Sequence, residues 1–157
     1  MSKSDPLEYR KQLISNHPRI IHVLDKLKTL SNWKEKLPKG KGKGIALTQM
    51  IGKGIVASVV QAAIGKRNKL KIEKVFIVVD FGKIINPDIV LSQVEGSVVM
   101  GISVALKEEI TFHDGRVSQS NYDDYRIARM KDCPDINVTI IESDEDVRGI
   151  DLSLIHI

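Results

Sequence analysis

One cysteine, Cys133, stands alone in 157 residues. A single thiol excludes an internal disulfide framework and any cysteine-based zinc site. It precedes Pro134 with no histidine beside it in sequence, so no catalytic thiol is expected there. Aromatic residues make up 4% of the chain, too few for the interleaved stacking platforms that bind single-stranded nucleic acid. The histidines, His17, His22, His113 and His156, are scattered over separate segments without metal-ligand spacing, and no metal site is expected among them. No stretch is read as approaching the roughly 20 apolar residues of a transmembrane helix. The opening MSKSDPLEYRKQ has no apolar signal core.

What is present is an ordinary globular composition, 42% apolar and 28% charged, in a length that suits one domain. The net charge of +4 hides an asymmetry: residues 1–75 carry +12 and residues 76–157 carry −8. A basic half can bind nucleic acid or an anionic membrane surface, and a basic half beside an acidic half can equally be two surfaces of one protein. The lysines of residues 26–43 leave open a small basic interaction domain that binds an acidic partner or nucleic acid; with so few aromatics, nucleic-acid binding is not the expectation.

Along the chain, Asp5-Pro6 opens a first helix and Asn16-His17-Pro18 breaks it. A second helix runs from about Pro18 to Ser31, with Ile20, Ile21, Leu24, Leu27 and Leu30 at helical spacing. Residues 34–43, KEKLPKGKGK, read as a basic linker. Its Gly-x-Gly-x-Gly run precedes a strand instead of opening a helix, so it does not fit a dinucleotide-binding loop. From Gly44 to Asp80 three Ile- and Val-rich segments, separated by short turns, predict an antiparallel meander. Asn86-Pro87-Asp88 starts a long helix to about Leu106, and His113-Asp114-Gly115 marks a hairpin. NYDDYRIARMKDCPD reads as loop or short helix, and INVTIIES as a final strand. The adjacent Asp123 and Asp124 point apart and do not form an acid–base pair.

The long helix contains Gly96 and Gly101, each costing about 1 kcal/mol relative to Ala. Gln93, Gly96, Ser97 and Met100 share one helix face, small and bearing one amide. Such a face admits either another backbone or a ligand.

Three groups of residues in this order resemble one enzyme family. They are Asp80-x-Gly82 with Asn86-Pro87; Gln93-x-Glu95-Gly96 followed by Gly101; and Asp114-Gly115 followed by Gln119-Ser120-Asn121-Tyr122-Asp123-Asp124-Tyr125. Together they resemble the C-terminal molybdenum-cofactor-binding region of the xanthine dehydrogenase/aldehyde oxidase family, in the branch of isoquinoline 1-oxidoreductase-like large (β) subunits. PLEYR (6–10), Asn16-His17-Pro18, Trp33 and Gly42-x-Gly44-Ile45-Ala46 extend the likeness over about residues 6–150.

The resemblance implies a parent enzyme that hydroxylates N-heterocycles or aldehydes with water as oxygen source. Its molybdenum would be held by molybdopterin, expected in the cytosine dinucleotide form, and its electrons would leave through iron–sulfur clusters on a small partner subunit. By the same resemblance Gln93 is expected to contact the pterin, and Gly96 to keep that face open. A side-chain amide suits this role, since it donates and accepts at once.

Two departures accompany the likeness. Met50-Ile51-Gly52-Lys53-Gly54 replaces the usual turn after the first strand. The family's catalytic glutamate belongs to a Gly-x-Gly-Glu type motif expected just beyond Arg148-Gly149-Ile150, where this chain reads Asp151 and then LSLIHI. Leu152–Ile157 is the translation of a transposon-end adapter used in sequencing-library preparation, so the tail is expected to be non-native.

The expectation is therefore an α+β fold: two N-terminal helices, an antiparallel meander, a long glycine-containing helix packed on the sheet, a hairpin and a final strand. Residues 1–33 would form a helical segment, 34–150 part of the second molybdenum-cofactor-binding domain, and 151–157 the adapter-derived tail. The chain is expected to be a fragment, inactive alone, completed by the remainder of the large subunit and the iron–sulfur subunit. Its compartment, bacterial cytoplasm or periplasm, is not readable, because a twin-arginine signal would lie outside the fragment.

Overall fold

A computed structural model describes residues 4–49, 54–65 and 68–145. Helix α1 (Pro6–Leu13) begins where Asp5 caps it, the carboxylate accepting from the amides of Leu7 at 2.9 Å and Glu8 at 3.1 Å. Helix α2 (Pro18–Leu30) follows the expected break and buries Ile20, Val23, Leu24 and Leu27 along one stripe. The chain then turns at Gly40, whose φ of +87° favours glycine, into β1 (Lys41–Gln49). The basic linker is thus shorter than its composition implied, because Lys41, Gly42 and Lys43 already belong to the strand.

Strands β1, β2 (Ile55–Ile64) and β3 (Leu70–Asp80) form the predicted antiparallel meander. The turn variant at residues 50–53 lies outside the described residues. Helix α3 (Pro87–Leu106) starts at Asn86, whose side chain accepts from the amides of Asp88 and Ile89. The hairpin at Asp114-Gly115 forms with both residues at positive φ, as a type I′ turn requires. Its strands β4 (Phe112–His113) and β5 (Arg116–Val117) are shorter than the flanking sequence implied and stand apart from the main sheet. A short 3₁₀ turn, Met130–Asp132, precedes Pro134 and leads to β6 (Asp135–Ile141).

β6 joins the sheet parallel to β3, giving the order β1-β2-β3-β6. The architecture is α+β in three layers. On one face of the sheet α2 covers Ile55, Ala57, Val59 and Val78. On the other, α3 lays Val90, Val94 and Val98 over Val56, Val75, Ile77, Val79 and Phe81.

The expectation that no stretch approaches a membrane span is corrected here. By length and composition α3 qualifies as one, and only 28% of its apolar window is buried. Its inner valines pack on the sheet as those of a core helix do, while Ile89, Leu91, Met100 and Val104 are exposed on the other sides.

Candidate functional site

A hydrogen-bonded polar cluster sits where β3 ends. Asp80 is 2% exposed and receives a two-pronged bond from Arg19 of α2, Nε to Oδ2 and Nη2 to Oδ1, both at 2.7 Å. Oδ1 also accepts from the Ser143 hydroxyl at 2.9 Å and from the Gly82 amide at 3.1 Å. Burial alone raises the Asp80 carboxyl; the Arg19 fork, the Gly82 amide and the Ser143 hydroxyl outweigh it and hold the group below its ordinary 3.8. The same contact raises Arg19. Gly82 sits at a φ of +79°. The Asp80-x-Gly82 motif is therefore a turn lock: the carboxylate holds the amide of a glycine whose conformation other residues adopt only with strain. It fixes the exit from β3, and the chain reaches the Asn86 cap of α3 four residues after Gly82.

Gln93 and Gly96 lie on α3, one turn apart. Gln93 is half-buried, and among the described residues its amide makes no hydrogen bond. Gly96 is exposed, and a Cβ added there would meet no atom within 4 Å. Close backbone packing is thus not its role within the described residues. Ser97, assigned to the same face, is instead turned into the core, where its hydroxyl bonds the Val94 carbonyl at 2.7 Å. Among the described residues, α3 thus presents an unbonded amide beside open space.

The Gln119–Tyr125 motif builds the loop after the hairpin. Gln119 pairs with Thr111, accepting from its amide at 2.8 Å and donating to its hydroxyl at 3.0 Å. Asp124 accepts from the amides of Ser120 and Asn121 and so closes a turn; these bonds lower its carboxyl. Tyr125 donates to Glu108 at 2.6 Å and ties the loop to the end of α3. Asp124 is spent on structure, and Tyr122 is 90% exposed. Among the described residues no group of His, Cys, Asp or Glu is arranged to hold a metal ion.

Sequence reasoning missed Arg19, 61 positions from Asp80 and read only as part of a helix. The one available signal was a motif aspartate closing an apolar, buried-type strand, a carboxylate that burial obliges to find a partner. Other residues of the likeness also serve the fold. Arg10 donates to the Ile45 carbonyl at 3.1 Å, and the Trp33 indole donates to Asp5 at 2.9 Å.

Comparisons with known proteins agree with this layout. The family model for the molybdopterin cofactor-binding domain matches residues 23–134. The beta chain of isoquinoline 1-oxidoreductase from Brevundimonas diminuta is 32% identical over 98% of this chain, which spans 20% of that protein. A nicotinate dehydrogenase subunit from Pseudomonas putida is 27% identical over 87% of this chain and 13% of its own length. In structure, quinoline 2-oxidoreductase from Pseudomonas putida 86 superposes with a TM-score of 0.56 at 28% identity, covering 65% of this chain and 14% of that one. The chain thus spans a fifth or less of each of these proteins, and by the match over most of its length it belongs to the molybdopterin cofactor-binding domain family of molybdenum hydroxylase large subunits.

Proposed function

We propose that this chain works as one piece of a molybdenum hydroxylase large subunit, supplying a helix face against the pterin cofactor. The family match carries the reading, and the free amide of Gln93 beside the open position of Gly96 supports its location. The residues present fit a contact with a polar ligand: a half-buried amide without a partner lacks hydrogen bonds that a ligand can complete. When bound, the molybdenum centre supplies the two-electron chemistry that places a water-derived hydroxyl on an electron-poor carbon of an N-heterocycle or aldehyde. Gln93 orients the cofactor's polar atoms, Gly96 leaves the approach free of a side chain, and the Asp80 lock with the Asn86 cap sets where α3 begins.

The finer assignments belong to the same proposal. The pterin is the cytosine dinucleotide form, and iron–sulfur clusters on a small partner subunit take the electrons. Residues 34–150 form part of the second cofactor-binding domain, with 1–33 as its helical lead-in. Residues 151–157, outside the described residues, derive from adapter sequence. The 157-residue chain is inactive by itself, because it holds a small part of the cofactor cradle. The reading as a small basic interaction domain is not supported, since the relatives are enzyme subunits.

The deciding experiment extends the gene on both sides and expresses the complete large subunit with its partner. Continuation into a Gly-x-Gly-Glu motif, with molybdenum and a cytosine nucleotide released from the purified protein, supports the proposal. A gene that continues into unrelated sequence overturns it.

A further inference from the structure

One end of the sheet half beside α3 is bare. Strand register places Gly42, Gly44 and Ala46 of β1 opposite Ala62, Val60 and Ser58 of β2, and these in turn lie on the face of Val75 and Ile77, which α3 covers. α3 packs against β6, at the far edge of the order β1-β2-β3-β6. Val56 and Ser58 of β2 are buried, but over Gly42, Gly44, Val60 and Ala62, at the other end of these two strands, nothing among the described residues takes its place. A cleft of about 200 Å³ opens under the flank of α3 between Val60, Ile72, Gly101 and Leu106, and it continues across Gly42, Gly44 and Ala62.

This surface differs from an ordinary wet sheet face. A solvated edge strand usually carries charge on the exposed side, yet Lys41 and Lys43 both alternate away from this face. Lys43 bonds the carbonyls of Ser31 and Asn32, and Lys41 pairs with Glu73. What remains on the uncovered end is Gly42, Gly44, Val60 and Ala62, bordered by Ile64 and Leu70, which are 62% and 52% exposed. Glycine inside a strand weakens it and marks a close approach. A Cβ on Gly42 or Gly44 would meet nothing within 4 Å inside this chain, so whatever approaches them is not among its described residues.

The dimensions select the occupant. Two strands span roughly 10 Å across a sheet, and an α-helix with its side chains is about 10 Å wide. One helix therefore covers β1 and β2 as α3 covers β3 and β6, at the 8–10 Å spacing of packed helices. Gly101 and Ala105 on the cleft side of α3 permit that approach. The relatives supply the source, since this chain spans 20% of the length of the isoquinoline 1-oxidoreductase chain.

We propose that the β1–β2 shelf receives an apolar-faced helix from the part of the large subunit outside these 157 residues, lying alongside α3. The proposal rests on the reading of the chain as a fragment.

The test uses the complete large subunit and follows maleimide labelling site by site with peptide mass spectrometry. Ala62→Cys and, separately, Gly44→Cys are compared with Lys36→Cys, a solvent-exposed reference. Labelling at 62 and 44 is expected to be slowed about tenfold or more relative to 36, because access requires local opening. A short cross-linker attached to the thiol of the Ala62→Cys variant is expected to capture a helical segment of the same chain beyond residues 1–157. Equal labelling rates in a subunit that retains its molybdenum overturn the shelf while leaving the fragment reading intact. Cross-links only between two copies at position 62 overturn the chosen occupant. A gene without further large-subunit sequence removes the occupant and the fragment reading together. Ala62→Cys is a small change on a half-buried strand position, so the test stands even if Gly44→Cys disturbs folding.

Discussion

Arg19 and Asp80 meet fork to fork, two bonds of 2.7 Å joining the first turn of α2 to the last residue of β3. The carboxylate is buried and the guanidinium one quarter exposed. Removing the cation strands a buried charge, whereas an amide in place of the carboxylate can still accept from the Gly82 amide. Arg19→Ala is expected to destabilise the chain by about 3 kcal/mol. Asp80→Asn is expected to cost less, because it keeps the size of the side chain while losing the ion pair. Urea unfolding of both variants checks the order; equal stability of Arg19→Ala and the parent chain would sink it.

The same pair sets a pH dependence. The folded carboxyl of Asp80 lies below its ordinary 3.8, so its contribution is complete above that value and is lost as pH falls through the lower folded value. Stability is expected to decline on the acid side, and the Asp80→Asn variant to decline less over the same range. Unfolding midpoints measured from neutral pH down to the acid limit of folding decide this.

Asn86 provides a separable measure of α3. It satisfies two amides that the helix itself leaves without partners. Asn86→Ala is expected to cost about 1 kcal/mol, and Asn86→Gly only a few tenths. Asp5→Ala at α1 should cost more than Asn86→Ala, because Asp5 also receives the Trp33 indole. Thermal unfolding of the variants gives the ranking.

Gln93→Ala separates cofactor binding from folding. The amide bonds to nothing among the described residues, so stability should move by no more than about 0.5 kcal/mol. Molybdenum content of the complete large subunit should fall. Unchanged metal content would move the pterin contact elsewhere on the surface.

The outer side of α3 makes a prediction for the isolated chain. Ile89, Met100 and Val104 are exposed on a helix whose apolar residues are not confined to the side packed on the sheet. The 157-residue chain is expected to bind a hydrophobic dye and to associate with rising concentration, and Val104→Glu to weaken both. Dye fluorescence and sedimentation read the outcome.

Much of this molecule was legible because its signals are local. Asp5-Pro6, Asn86-Pro87 and Asp114-Gly115 each mark an element boundary through the chemistry of two adjacent residues, and each stands where the structure puts it. The Ile and Val content of IVASVVQAA and KIEKVFIVVD, with short turns between the segments, sufficed for the meander. The parallel docking of β6 on β3 was not legible, since nothing in INVTIIES distinguishes one sheet edge or direction from another. Nor was the Arg19–Asp80 fork, whose partners are joined by the fold alone. At the candidate site, Gln93 and Gly96 were picked out by helix periodicity and the family likeness. Ser97 was misassigned because a serine inside a helix can satisfy its hydroxyl on the helix's own carbonyl and turn inward.

The parallel β6 also orders events in time. Strands β1 to β3 can pair by short turns as soon as they are made, but β3 keeps an open edge until α3, the hairpin and the loop behind it have all been synthesised. That edge carries Val75, Ile77 and Val79, a β-prone row of the kind that recruits foreign strands. Non-local closure of this sort is slow. A ribosome that stalls within residues 107–134 would therefore release a chain with a finished meander and an open sheet edge. For this protein, docking of the seven-residue β6 is expected to be the step that separates folding from aggregation.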